Sequence, residues 1–524
     1  MMKTRSHLPT AFSAILAASL LAAPAVQAQQ PQGHGQQQSD TLPVPPESAS
    51  VTQHTVTVDG QKIQYTATAG NLLVRNGDND PIGSFFYVAY TKDGADPRTR
   101  PVTFLYNGGP GSASIWLHMG SVAPVRVVTT DAGWTPPAPY DLEPNPYSLI
   151  DKSDLVFVDA IGTGLSRVVG KGKPTDFYGV DQDIRSFADF IQRYITVNHR
   201  WPSPKFLMGE SYGTTRSAGL AAVMDDRGMP LNGIVLVSSW LNGYVDFSNP
   251  PYALDITYEL FMPTMAATAW YHDKVPNKPA DLATFVQQAR EFALGRYARA
   301  LAQGSNLSAA LRDTVAAQLS YFTGLPEQFV REANLRITPD RFEKELLRGQ
   351  RRTVGRLDAR YEGIDHDAAG ESPEYDPSDA AINGAFTTAF NHYLAVDLKY
   401  KADRPYHTSG NVGRNWDWNH RVGRGSYPMF DVAEDLREAM TRNPYLKVFS
   451  ANGYFDFATP FLETEWTLDH MGLDSTLVGN IQYGYYHSGH MIYLHTPALA
   501  KLKKDLAAFY DSTLAADRAA RPKP

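Results

Sequence analysis

Ser211 lies in GESYG, residues 209–213, a match to G-x-S-x-G that follows the apolar run KFLM and precedes TTRSAGLAAVM, a stretch of helical composition. A serine flanked by glycines at a strand-to-helix junction suits nucleophilic attack. The sharp turn lifts the hydroxyl off the sheet and aims a helix N-terminus at it. On its own the pentapeptide also fits an ordinary strand-to-helix turn whose glycines serve packing. Enzymes with such an elbow place their acid and base later in the chain, in the order Ser, Asp or Glu, His. Asp456 in FSANGYFDFATP and His490 in YHSGHMIYLH stand in those places. Asp456 then fixes the tautomer of His490, while His490 takes the Ser211 proton and returns it to the leaving group. His487 and His490 also have H-x-x-H spacing, but the intervening Glu and helical context of a zinc site are missing, so neither metal nor cofactor is expected. A glycine run, YNGGPGSAS at 106–114, follows the apolar VTFLY. Consecutive glycines let backbone amides approach a ligand closely, which is how an oxyanion hole is completed beside an elbow.

These residues need a sheet to hold them. VTQHTVTV, KIQYTATAG, NLLVR and FFYVAYT alternate β-branched and aromatic residues between turn residues and predict antiparallel hairpins. VTFLY, LVFVDA, KFLMGE and GIVLVSS are short continuous apolar runs, the pattern of strands buried on both faces of a largely parallel sheet. Between them, apolar residues at helical spacing predict a helix over 181–198. Beyond Pro250 the composition turns helical, with helices expected over 280–301, 309–323 and 378–399. The strand pattern resumes at 446–450 and 477–483, and a last helix is expected over 497–514. The fold class is therefore α/β, with a mostly parallel central sheet and an inserted, mainly helical cap. The expected divisions are a first core segment at 51–249, the cap at 250–429 and a second core segment at 430–524.

The ends and the overall composition narrow the function classes. Residues 1–28 have a basic start, an apolar run over 11–23 and small residues at 26 and 28, the pattern of a secretory signal peptide too short to span a bilayer. Residues 29–50, rich in Gln and Gly at their start, read as a disordered linker. An exported, periplasmic or secreted protein without a membrane anchor is expected. The formal net charge of -7 disfavours nucleic acid or anionic membrane as partners. With no cysteine among 524 residues, disulfides, thiolate metal sites and a cysteine nucleophile are excluded. Trp416 and Trp418 are candidates to wall an apolar pocket, with buried packing the plainer role. Asp365, Asp367, Glu371, Glu374, Asp376 and Asp379 read as a solvated acidic loop, because calcium-loop spacing is incomplete.

NGGPGS at 107–112, GESYG at 209–213, the segments NPYSLI and DLVFVDAIGTGLS, and GHM at 489–491 together resemble the serine carboxypeptidases, the peptidase S10 family, in a bacterial-type secreted form. The resemblance implies an α/β-hydrolase fold and release of C-terminal residues from peptides with a free C-terminus. Carried over by position, it implies a triad of Ser211, Asp456 and His490 and an oxyanion hole from the amides of Gly109 and Tyr212. It further implies that Asn107 and Glu210 bind the substrate carboxylate, Glu210 as a protonated acid sharing its proton with a second glutamate. Here the place of that glutamate is taken by Ser121. Two consequences are open: a buried Glu210 protonated by desolvation alone and assisted by Asn107 and Ser121, or a Glu210 paired with Arg216 or His118 in an esterase, amidase or acyltransferase. A non-catalytic binding protein on the same fold is the remote alternative.

Overall fold

The computed structural model describes residues 41–245, 254–423 and 425–520. The signal-peptide reading of residues 1–28 lies outside the described residues. Three antiparallel strands open the chain, β1 (Ala49–Val58), β2 (Gln61–Arg75) and β3 (Pro81–Lys92). They lead into β4 (Val102–Tyr106), β5 (Asp154–Val158), β6 (Lys205–Ser211), β7 (Gly233–Ser239), β8 (Lys447–Gly453) and β9 (Ile481–Tyr486). The sheet order is β1-β2-β3-β5-β4-β6-β7-β8-β9, with a short strand at Arg167–Val168 beside β3. Neighbours from β5 to β9 run parallel, as their unbroken apolar sequences predict. This is the α/β-hydrolase fold expected from the sequence.

Helix α1 (Val180–Val197) buries Ile184, Phe187, Phe190, Ile191 and Tyr194 on one face of the sheet, and α2 (Tyr212–Asp226) leaves the end of β6 on the same side. The cap follows, with α3 (Asp255–Tyr271), α4 (Leu282–Phe292), α5 (Ala309–Thr323) and α6 (Asn383–Val396) among shorter turns and two small hairpins. After it, α7 (Ala433–Arg442) packs with the α1 and α2 side of the sheet. On the opposite face α8 (Thr496–Ala520) buries Leu499, Leu502, Leu506, Phe509 and Tyr510. The cap's own apolar cluster, which includes Phe261, Met265, Phe285, Phe322 and Phe342, extends to Phe455, Phe457 and Phe461 at the end of β8.

Several boundaries differ from the sequence expectation for physical reasons. KIQYTATAG and NLLVR form the single strand β2, because Gly70 remains extended where the Ser48–Ala49 backbone comes too close for a Cβ. The expected 378–399 helix is split into Pro377–Ala380 and α6. Leu477 to Asn480 is a turn rather than strand, so β9 begins at Ile481. The stretch assigned to a linker up to residue 50 is tied down before it ends. Leu42 exchanges backbone hydrogen bonds with Gly170 (2.8 and 3.0 Å), and the Glu47 carboxylate accepts from the Leu73 amide (2.8 Å). The acidic loop is also less solvated than expected: Asp365 and Glu374 both hold the buried Lys344 ammonium, at 2.5 and 2.9 Å.

Candidate functional site

Ser211 is the last residue of β6 and the cap residue of α2, with φ 60° and ψ -132°. A non-glycine residue held there stores about 1–3 kcal/mol of strain, sustained by the packing around it. The flanking glycines are what that packing requires. A Cβ on Gly209 would meet the Gly213 carbonyl at 2.1 Å, and one on Gly213 would meet the Tyr106 carbonyl at 2.8 Å. The glycine loop closes from β4: a Cβ on Gly108 would lie 2.4 Å from the Tyr212 amide nitrogen. Gly108 thus sits against the first turn of α2, and both Gly108 and Gly109 line the same cleft as Ser211.

Asp456 follows β8 and is fully buried. Its Oδ1 accepts from the amides of Ala458 (2.8 Å) and Thr459 (3.0 Å). Its Oδ2 accepts from the Thr459 hydroxyl (2.8 Å) and meets His490 Nδ1 at 2.8 Å. Burial alone lowers the basicity of His490, but the charge and hydrogen bond of Asp456 outweigh it and hold the imidazole above its ordinary pKa. That arrangement leaves Nε2 for a proton from a hydroxyl in the cleft, which His490 and Ser211 both line. The cap braces both loops through one short segment. Arg356 O accepts from Phe457 N (3.0 Å), Leu357 O from His490 N (2.6 Å), and Ala359 N donates to Phe455 O (2.9 Å).

Glu210, beside the nucleophile, is 2% exposed. Oε1 accepts from Asn107 Nδ2 (2.9 Å), whose own Oδ1 accepts from Leu117 N (2.9 Å). Desolvation pushes the carboxyl up to about 7 against the opposing influence of His490, Tyr493 and Asn107. The sheet brings neither sequence candidate for a basic partner to it. Arg216 pairs with Asp183 (2.7 Å) and donates to Asn107 O (2.9 Å), while its guanidinium lies over Phe187. His118, driven down to about 3 by burial, contacts Tyr90 Oη (2.7 Å) and stacks on Phe157.

Ser121 is not a substrate ligand, which corrects the expectation. It is fully buried, its hydroxyl donates to the Leu117 carbonyl, and it is absent from the cleft wall. Trp416 and Trp418 pack against Tyr212 and Phe430 instead of lining the cleft. The cleft, of about 630 Å³, is walled instead by Trp116, Trp240, Leu357, Met429 and Met491. Sequence reasoning missed two residues. Tyr493 reaches the Glu210 carboxyl from the loop after His490. Arg356 is exposed and lies in the cleft wall; its amide donates to Asp376 Oδ1 (3.1 Å), and its guanidinium makes no ion pair among the described residues. The GHM motif pointed at the loop of Tyr493, but nothing in the variable cap singled out Arg356.

Fold and site together define an α/β-hydrolase whose cleft brings Ser211 together with a histidine–aspartate pair. Residues 60–257 match the model of the serine carboxypeptidase family. The chain is 26% identical over 171 residues to serine carboxypeptidase-like 36 of Arabidopsis thaliana, a match covering 31% of this chain and spanning about a third (33%) of that relative's length. Among solved structures it is similar to Kex1(delta)p, a prohormone-processing carboxypeptidase of Saccharomyces cerevisiae. The TM-score is 0.52 at 14% identity, over 86% of this chain and 92% of that one, a likeness of fold.

Proposed function

We propose that the protein is an exported serine carboxypeptidase that releases C-terminal residues from peptides through an acyl-enzyme on Ser211. The family match over 60–257 supports the class. The observation that carries the finer reading is Glu210, a buried carboxyl raised to about 7 beside the nucleophile and hydrogen-bonded to Asn107. A protonated acid there donates to a substrate's terminal carboxylate, which an ester or amide end does not offer.

In this reading, Ser211 Oγ attacks the carbonyl of the last peptide bond as His490 Nε2 takes its proton. The amides of Gly109 and Tyr212 stabilise the oxyanion. The tetrahedral intermediate collapses when His490 hands the proton to the leaving amine, and water then cleaves the acyl-enzyme by the same route. Arg356, the one Lys or Arg among the described residues of the cleft wall, adds attraction for an anionic substrate end. Arg216 pairs with Asp183 and His118 contacts Tyr90, so neither base considered for the ester-directed alternative is free to pair with Glu210, which favours the carboxypeptidase reading.

The test compares a blocked dipeptide with its C-terminal amide, using Ser211→Ala as control. A strong preference for the free acid, lost in the control, is expected; equal rates on both overturn the carboxypeptidase reading. Export is tested separately, by N-terminal sequencing of the protein recovered outside the cytoplasm, with a start just after residue 28 as the expected result.

A further inference from the structure

The Glu210 carboxyl leaves a partner unaccounted for. Its Oε2 is buried and has no hydrogen-bond partner among the described residues, and the hydroxyl of Tyr493, itself 1% exposed, is likewise unpartnered. The two groups act on one another, each among the influences on the other's acidity. Tyr493 sits in the turn Ile492–Leu494, three positions after His490, and its ring lies against Gly120 so closely that a Cβ there would approach it to 2.5 Å. Gly120 adjoins Ser121, whose hydroxyl is turned back to Leu117. A buried phenol and a buried carboxyl are costly to leave unpaired, and a hydrogen bond between them satisfies both.

We propose that Tyr493 is a positioning residue for Glu210, so that a carboxyl tuned by a phenol sets the pH range for accepting a free C-terminus. The inference rests on the carboxypeptidase reading for its substrate arm only. The groups facing Glu210 are His490 and Asp456 from the two loops, Asn107 from the glycine loop, and Tyr493. Burial keeps the phenol protonated well above its ordinary range, so it donates and never shares a negative charge. A paired acid adds a second titrating carboxyl to the site, whereas a phenol does not. The sign follows: a Tyr493 hydrogen bond favours the Glu210 carboxylate, so removing the hydroxyl raises the Glu210 pKa.

The test is the pH profile of kcat/KM for Tyr493→Phe on a blocked dipeptide and on its ester. The alkaline limb for the free acid is expected to move up by about half a pH unit or more while the ester limb stays in place. Glu210→Gln in either background is expected to erase the free-acid limb. A free-acid limb that stays put in a folded Tyr493→Phe protein overturns the proposal, as does an equal shift for both substrates, which belongs to His490. If the enzyme does not prefer free acids, the carboxypeptidase reading falls, and the infrared carbonyl band removed by Glu210→Gln then decides. Its titration moving up in Tyr493→Phe supports the pair; an unchanged titration refutes it.

Discussion

Among single residues, Ser211, His490 and Asp456 are proposed to act as one unit. Ser211→Ala is expected to reduce turnover to background. Asp456→Asn is expected to lower kcat about 10⁴-fold with little change in KM, because the amide favours the wrong imidazole tautomer. Arg356→Met is expected to raise KM severalfold for free-acid dipeptides and to leave their amides unaffected, since only the former present an anion to the cleft. The free-acid profile should fall as pH rises through about 7, where Glu210 ionises, and Glu210→Gln should remove that fall. That Ser211, Asp456 and His490 come together was legible because each sits in a short motif next to a strand end. Ser121 was misread because alignment by count gives a position without a direction, and in the structure its hydroxyl faces the helix carbonyl of Leu117. Tyr493 and Arg356 reach the site through tertiary packing, which spacing along a chain does not encode.

At the scale of elements, the elbow depends on three backbones meeting without side chains between them. Gly108→Ala is expected to cost stability by about 1–3 kcal/mol and activity by more, because the clash falls on the Tyr212 amide and not on a movable side chain. Thermal unfolding together with kcat/KM measures both. The segment from Arg356 to Ala359 shows that the cap is part of the machinery: it hydrogen-bonds the loops of both Asp456 and His490, and the cap cluster takes up Phe455 and Phe457 on either side of the acid. The inner strands and α1 were readable because burial on both faces or on one stripe leaves a strong pattern. The split before α6 and the late start of β9 were not, since both follow from local turns whose residues also suit regular structure.

At the scale of the molecule, His420 clasps the late cap to the core. Its Nδ1 meets Asp181 of α1 and its Nε2 meets Asp435 of α7, each at 2.7 Å. Burial opposes the imidazolium, yet the two carboxylates raise it to about 9. A histidine whose folded pKa exceeds its unfolded value contributes stability fully below about 6.5, and loses it as pH rises through the folded value. His420→Ala is expected to destabilise by ~2 kcal/mol in mild acid, because the burial of Asp435 offsets part of the gain, with the deficit shrinking as pH climbs from about 6.5 to about 9. Denaturant titrations below and above that window check it. The α/β-hydrolase architecture was readable as a whole from the succession of strand types. The clasp was not, since Asp181 lies 239 residues from His420 in the chain and meets it only after the cap has folded back.

The proposed reaction is cleavage by Ser211 next to a free carboxylate. It is tested most directly by the ratio of kcat/KM for a blocked dipeptide to that for its amide, measured below about pH 7, where Glu210 is protonated. A large ratio that collapses in Glu210→Gln is expected, with both activities absent in Ser211→Ala. A ratio near one, or turnover that survives in Ser211→Ala, contradicts it.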